Sequence, residues 1–536
     1  MQERKPPTIK RNLADRFGEV LDQVVFAFRP VAGAKRMDFR RRYKAVSMSA
    51  HEGATIDETR GSSWIGSRLS PDAAMEEDRA ELISRSKELY RNDSIGGAID
   101  SRVNLVVSYG FTPQAAIQPR EGITQDQADT WNDQIELVYD QVYTRIGRTG
   151  KDNLWQETRL ALRCYDVYGE GLVILSDVGG NEKPIPLTIE VVDPERLETP
   201  IDKISNPRIR MGIEYDAQGR ITHYYIRRTH PGDTKHFNFE YDRIEASRVL
   251  HIFERWFPGQ SRGYPWMTRI LNRIKDAKDL GEATIIAAQV EACYAAFVKG
   301  GNPYDAATAN SAGTTTAGNR FQEVRPGGIH YLNTGEEVTF GSPSRPGNTF
   351  APFMDWNGRK EAAGLNWSFE MLAKDWRGMS FAGGRLTLAE QRMVVESLQK
   401  LLVERMLTPI WNRMVEEAVI VGAVDIPPRL YQRMPWVFQA HEWGPPAWPF
   451  ALTPREEVES TVTAIENNLM TKKRAVSRLG GWLSEVFKQR AIERDEERTL
   501  GIQPGSAQEE VKAEAMAQPA EPMDGQQQMA AEEAAA

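Results

Sequence analysis

A chain of 536 residues with 40% hydrophobic and 26% charged content is long enough for two to four domains and a sizeable core. Its two cysteines, Cys164 and Cys293, exclude a disulfide framework and point to a reducing compartment, and no apolar run approaches the ~20 residues that span a bilayer, so a cytoplasmic, non-membrane chain is expected. The net charge of −8 is uneven, with twelve Lys/Arg against five Asp/Glu from Met1 to Lys44 and seven acids against one lysine from Gln503 to Ala536, which excludes the clustered cations of tight duplex binding but permits DNA to pass nearby.

The first forty-five residues combine an amphipathic stretch (Leu13, Phe17, Val20, Leu21, Val24, Val25) with the basic run Arg40-Arg41-Arg42, and are read as a helix with an arm or a solvated leader. Ser70 followed by Pro71 marks a helix start, and helix formers continue to Val107. Leu154 to Leu162 reads as helix; Gly169-Glu170-Gly171 then breaks into the buried-strand pattern Leu172 to Leu175. From Pro184 to Phe253 a small, mostly antiparallel sheet is expected, with strands at Leu187–Val192, Met211–Tyr215, Thr222–Ile226 and Val249–Phe253.

Tyr264 to Val298 contains one proline, Pro265, near its start and about thirty-five helix-compatible residues; as one helix it would span roughly 50 Å, the length of a strut or channel wall. Gly300 to Gly347 reads as a small β module with an Ala/Thr/Gly-rich insert from Ala306 to Asn319. Phe350 to Asn366 is a shorter helix, Trp367 to Gly384 a loop, and Arg385 to Val421 a long helix that Pro409 should kink or restart. Nine prolines and tryptophans between Asp425 and Pro454 exclude regular helix there and suggest an ordered connection. Glu456 to Leu500 is helical with a break at Gly480-Gly481, and beyond Gln503 the composition is that of a disordered segment.

One string has a catalytic look: Gly259-Gln-Ser261-Arg-Gly263 satisfies G-x-S-x-G between a strand and a helix. The intervening Arg255 to Pro258 loop and the lack of alternating β/α units argue against a serine-hydrolase elbow. Without a phosphate-binding P-loop or paired carboxylates, and with seven histidines scattered outside any metal-ligand spacing, the expectation is a structural protein, not an enzyme, with no cofactor and no metal.

These residues resemble the portal proteins of tailed bacteriophages, lambda-type family. The resemblance is carried in order by Arg85-Ser-Lys-Glu-Leu-Tyr-Arg-Asn-Asp93, Gly110-Phe111, Gly169-Glu170, Val192-Asp-Pro-Glu-Arg-Leu197, Gly212-Ile-Glu-Tyr-Asp216, Val249-Leu-His-Ile-Phe253, Gly259-Gln-Ser-Arg-Gly263, Pro326-Gly-Gly-Ile-His-Tyr-Leu332 and Trp443-Gly-Pro-Pro-Ala-Trp448. It covers about Ala80 to Ile502, with departures at Phe381-Ala-Gly-Gly-Arg385 and Thr453-Pro-Arg-Glu456.

The resemblance implies an α+β portal fold: a basic leader (1–69), a mixed α/β wing (70–258 and 385–454), a first stem helix (259–299), a small β clip (300–349), a second stem helix (350–366), a tunnel loop (367–384), a helical crown (455–502) and a disordered acidic tail (503–536). It further implies a homo-oligomeric ring, usually of twelve copies, at one vertex of the virion capsid and assembled in the host cytoplasm. Double-stranded DNA would pass through it without sequence preference. Expected partners are the terminase large subunit, a head-completion connector, and the major capsid and scaffold proteins. Lys374, Asp375, Trp376, Arg377, Met379 and Phe381 are the tunnel-loop candidates, and Arg269, Arg273, Lys275 and Lys278 the stem candidates. The competing reading is a helical scaffold or adaptor protein without a DNA channel.

Overall fold

The computed structural model describes residues 68–178, 183–235, 238–293, 297–300, 336–339, 347, 349–448 and 454–501. The basic leader, the Ala306 to Asn319 insert with most of the clip segment, and the acidic tail lie outside them. The chain divides into two compact units, residues 1–74 and 75–536, and the account below concerns the second apart from one helix start.

That start is as the sequence indicates. Helix α1 (Pro71–Asn92) opens with proline at its first position, where a missing N–H costs nothing, and the Ser70 hydroxyl accepts from the Ala73 N–H at 3.2 Å. Asp93 and Ser94 separate it from α2 (Ile95–Val107). After β1 (Thr112–Ala115), helices α3 (Gln125–Tyr143) and α4 (Leu154–Tyr168) each begin with a reciprocal capping box, Thr124 with Gln127 and Asn153 with Gln156. Helix α4 runs six residues past the expected Leu162 and ends only where Gly169 takes a left-handed φ of 89°.

The strands expected between Leu172 and Phe253 fall close to their expected positions. They are β2 (Gly171–Ser176), β3 (Thr188–Val192), β4 (Ile209–Arg210), β5 (Ile213–Tyr215), β6 (Ile221–Arg227), β7 (Tyr241–Glu245) and β8 (Val249–Ile252). They form two antiparallel sheets in place of the single one expected, β3-β2-β8 and β4-β5-β6-β7. In the first, Leu172 faces both Val192 and His251, and Gly171 faces Ile252. β7 has a charged, alternating sequence and was not anticipated.

The long helix expected from Tyr264 to Val298 differs from expectation. A single helix from Tyr264 to Val298 does not form: a 3₁₀ turn occupies Trp266–Arg269, and α5 covers Leu271–Cys293. At 23 residues this is about 35 Å, not 50 Å. Pro265 supplies the turn's start, and Ile270 (φ −128°, ψ 2°) interrupts helical dihedrals before α5 begins. At the other end Phe297–Gly300 is strand β9, paired antiparallel with β10 (Glu336–Thr339), Val298 opposite Val338. A β partner overrides the helix propensity of that segment.

Helix α6 (Phe350–Leu365) closes on left-handed Asn366 (φ 52°), as expected. The loop expected over 367–384 is shorter in the structure. A turn of helix, α7 (Phe369–Ala373), occupies its first part, and α8 (Phe381–Leu402) already begins at Phe381, capped by the Ser380 hydroxyl on the Gly383 N–H. Phe381 and the glycine pair Gly383-Gly384 are therefore helical, leaving 374–380 as the loop. Pro409 disturbs the long helix as anticipated: Val403–Leu407 is a π turn leading into α9 (Thr408–Val421), with the Thr408 N–H bonded back to Val403 O. The proline-rich segment is not helix-free. α10 (Pro428–Arg433) and α11 (Pro435–Phe438) form with proline in the first turn, before β11 (His441–Gly444) pairs with β1, Gly444 opposite Thr112.

Three helices follow, α12 (Pro454–Glu466), α13 (Lys472–Arg478) and α14 (Leu483–Leu500). The break at Gly480 (φ 80°) was expected; the one at Asn468 (φ 58°) was not. The main core is gathered by α2, α3, α4, the β3-β2-β8 sheet, α8 and α9. Trp411 of α9 is fully buried there, with the rings of Tyr139, His441 and Trp443 within 6.2 Å; truncating such a side chain costs about 3–5 kcal/mol.

Candidate functional site

The pairing of α5 with α6 positions the candidate site. Trp266 donates its indole N–H to Leu365 O at 2.9 Å, and Arg273 donates to the Asn357 side chain at 2.9 Å. Residues ascending along α5 thus meet residues descending along α6, an antiparallel hairpin. A Cβ on Gly364 would lie 2.3 Å from Cγ2 of Ile270, so glycine permits the close approach at the hairpin base. Farther along, Ile285, Ile286, Phe353 and Trp356 are exposed, apolar surface that the hairpin itself leaves uncovered.

The four cations singled out in the sequence, Arg269, Arg273, Lys275 and Lys278, do different things. Arg269 lies over the Trp256 ring at 4.3 Å. Arg273 reaches α6 and lies over Trp356 at 5.5 Å. Lys275 pairs with Asp279 one turn on, and Lys278 ties α5 to the end of α1 through Asn92 O (3.3 Å) and Glu88 (3.7 Å).

In the loop, Lys374 is exposed with a left-handed φ of 53° and has no ion partner among the described residues. Arg377 is gripped by Asp375 through two bonds of 2.8 and 2.6 Å. That guanidinium holds the Asp375 carboxyl down to about 2. Trp376 and Phe381 are exposed and Met379 is half-buried.

What anchors the hairpin was not legible as a site in the sequence. Glu170, fully buried, accepts from Arg262 Nε at 2.8 Å, from Arg79 at 2.8 Å, from His251 Nε2 at 2.9 Å and from the Gly263 N–H at 3.3 Å. Arg262 gives a second N–H, from Nη2, to Glu170 and spends its other three on Leu197 O (2.9 Å), Met211 O (2.8 Å) and Pro194 O (2.9 Å), so all five of its N–H groups are used. Burial pushes the Glu170 carboxyl up, but the charges of Arg262 and Arg79 and the His251 bond hold it well below the usual carboxylate range. Burial lowers His251 against the pull of Glu170.

Glycine makes the meeting possible: a Cβ on Gly263 would sit 1.8 Å from Gly169 O. The strings Gly169-Glu-Gly171 and Ser261-Arg-Gly263 are two halves of one joint. The only sequence signal was a charge set among glycines in each.

That joint also disposes of the hydrolase reading. β8 ends at Ile252 and the next helical turn begins at Trp266, so no abrupt strand-to-helix elbow forms. Ser261 is buried, accepting from the Tyr215 hydroxyl at 2.9 Å. A second buried pair fixes the hairpin base: Arg102 of α2 lies 3.4 Å from Asp166 and over the rings of Trp266 (4.3 Å) and Trp367 (5.6 Å). Burial pushes the Asp166 carboxyl up to about 6, with Arg102 opposing.

Cys164 is buried and its thiol is pushed up to about 12 by burial; the side chain of Cys293 lies outside the described residues. Asp193, Glu195 and His230 bring metal-ligand atoms within 4.8 Å of one another. However, His230 Nδ1 accepts from the Gly232 N–H, so Nε2 carries the proton and donates to Glu195 at 3.2 Å. Lys87 also pairs with Glu195, and Tyr168 donates to Asp193. The cluster is satisfied by protein donors. Among the described residues no helix is long and apolar enough to cross a membrane.

The chain is 23% identical over 453 residues to the probable portal protein of Halomonas phage phiHAP-1, covering 82% of this chain and 85% of that one. It is 22% identical over 473 residues to portal protein B of Escherichia phage lambda, covering 82% and 88%. A solved structure described as the neck of a native GTA particle computed with C12 symmetry is similar at 11% identity and a TM-score of 0.42, over 75% of this chain and 93% of that one. A family model described as phage portal protein, lambda family, matches residues 57–399. The chain, with its helical hairpin, buried glycine-lined joint and exposed loop inside that span, belongs to the lambda family of phage portal proteins.

Proposed function

We propose that copies of this chain close into a ring, twelve in number, at one capsid vertex, and that double-stranded DNA enters and leaves the particle through its bore. One observation carries the reading: the family match over residues 57–399 contains α5, the clip strands, α6 and the loop as one uninterrupted stretch. In this reading α5 and α6 are the stem, β9 and β10 close the clip, 374–380 is the tunnel loop and α12 to α14 form the crown. The exposed apolar residues of the stem, Ile285, Ile286, Phe353 and Trp356, then face neighbouring copies.

A channel must confine DNA without holding it, so sparse rings of charge serve better than a basic groove. The loop meets that requirement. Asp375 neutralises Arg377, which leaves Lys374 as the charge each copy offers to phosphate. Arg269 is the exposed stem cation with no acidic partner among the described residues, whereas Lys275 is paired with Asp279 and Arg273 and Lys278 are engaged within the chain. The clip would dock the terminase large subunit and later the head-completion connector; capsid and scaffold proteins would surround the wing.

Mass measurement and electron microscopy of the purified protein test this. A closed ring with the mass of twelve 60.5 kDa chains and a central hole is expected. A stable monomer or dimer would favour the scaffold or adaptor alternative.

A further inference from the structure

A cleft of about 410 Å³ lies between α8, the segment after β11 and α13, outside the stem and the loop. Its walls include Trp443, Pro446 and Trp448, and its rim carries Arg392, Lys400, Arg474 and Arg478. Arg392 pairs with Glu396 at 2.7 Å and Lys400 with Glu404 at 3.7 Å. Arg474 and Arg478 are exposed and have no ion partner among the described residues.

The volume is within the range of ligand sites, ~300–1,000 Å³. Aromatic and proline walls of this kind accept an extended, proline-bearing peptide, whose polyproline conformation is already low in entropy. Unpaired guanidinium groups call for carboxylates.

The chain carries such a peptide itself. Beyond the described residues it reads Pro519-Ala-Glu521-Pro522-Met-Asp524, within a stretch of seven acids and one lysine. Reach is sufficient. α14 starts at Leu483, close behind Arg478, and its 18 residues extend about 27 Å, so Leu500 lies within roughly 45 Å of the cleft. The nineteen residues from Leu500 to Pro519 span up to about 60 Å when extended.

We propose that the segment around Pro519 to Pro522 docks in this cleft, of its own chain or of an adjacent copy, with Glu521 and Asp524 meeting Arg474 and Arg478. The full-length protein tests it through a paired substitution, Ser477→Cys in the cleft and Ala520→Cys in the segment, with each single variant as control for Cys164 and Cys293. Mild oxidation should give a disulfide, within or between chains. Its rate should fall at least about tenfold when Arg474→Glu and Arg478→Glu are added, and again when Pro519→Ala and Pro522→Ala are added instead. The proline changes alter none of the cleft residues, so they remain informative if charge reversal disturbs folding.

A free peptide of residues 515–526 should suppress the cross-link, and a scrambled peptide should not. The proposal is overturned by the absence of a cross-link, by a rate indifferent to both sets of substitutions, or by suppression with a short DNA duplex but not with the peptide. That last result would make nucleic acid the occupant.

Discussion

Glu170→Gln is the substitution that most directly tests the joint at the base of the hairpin. It preserves shape but removes the one negative charge set against two cations, Arg262 (1% exposed) and Arg79, and it turns an amide N–H toward groups that can only donate. Removing one partner of a buried ion pair costs about 3–5 kcal/mol. At roughly 2 °C per kcal/mol for a chain of this size, the thermal midpoint should fall by roughly 6–10 °C at pH 7 and fixed protein concentration. The pH dependence has a definite sign. Glu170 is depressed in the folded state, so its contribution is full above the ordinary carboxylate pKa of about 4.3 and is lost only as pH falls through the lower folded value. The gap between the two proteins should therefore persist from pH 5 to 8 and narrow only in stronger acid. Arg262→Met, which orphans the Leu197, Met211 and Pro194 carbonyls, should also destabilise; the two changes together should fall short of additivity by about 1–3 kcal/mol. A midpoint shift below about 2 °C for Glu170→Gln, or strict additivity in the cycle, would refute the claim that this joint anchors the hairpin.

Gly364→Ala should destabilise by about 1–3 kcal/mol in urea unfolding although alanine favours helix, because the new methyl meets Ile270 Cγ2; adding Ile270→Leu, which removes that methyl, should recover part of the loss. Glu157 is buried and pushed up to about 7 by burial, with Asp152 adding to it. Being raised, it contributes stability that is full below about pH 4.5 and lost as pH rises through 7, worth about 3 kcal/mol, so Glu157→Gln should flatten the decline of the thermal midpoint between pH 5 and 8. Lys374→Ala with Arg377→Ala should slow DNA packaging in a reconstituted particle while leaving ring assembly intact by electron microscopy, and unchanged packaging would count against the loop.

Local patterns carried well into the structure where local physics decides. Ser70-Pro71 and the apolar, β-branched or aromatic runs of β2, β3 and β6 each encode their element within a few residues, and Pro409 announced the irregular turn before α9. The segment from Tyr264 to Val298 shows the limit of this reasoning. Helix formers run unbroken through Val298, but residues 297–300 gain more from pairing with 336–339 than from another helical turn, and that partner lies some forty residues away. The proline-rich segment failed in the opposite direction, since proline excludes a helix interior but suits a first turn, as Pro428 and Pro435 demonstrate.

The joint was the hardest feature to see, for a reason that also explains the false catalytic motif. Glu170 and Arg262 are 92 residues apart, so no window of periodicity contains both. Each was visible only as a charge beside glycines. A nucleophile elbow and a close backbone crossing both need glycine, one to turn sharply and the other to let Gly263 touch Gly169. The same G-x-S-x-G string therefore fits either use. Ser261 lies buried while Arg262 takes the central contacts, so here the glycines serve the arginine and the serine merely precedes it.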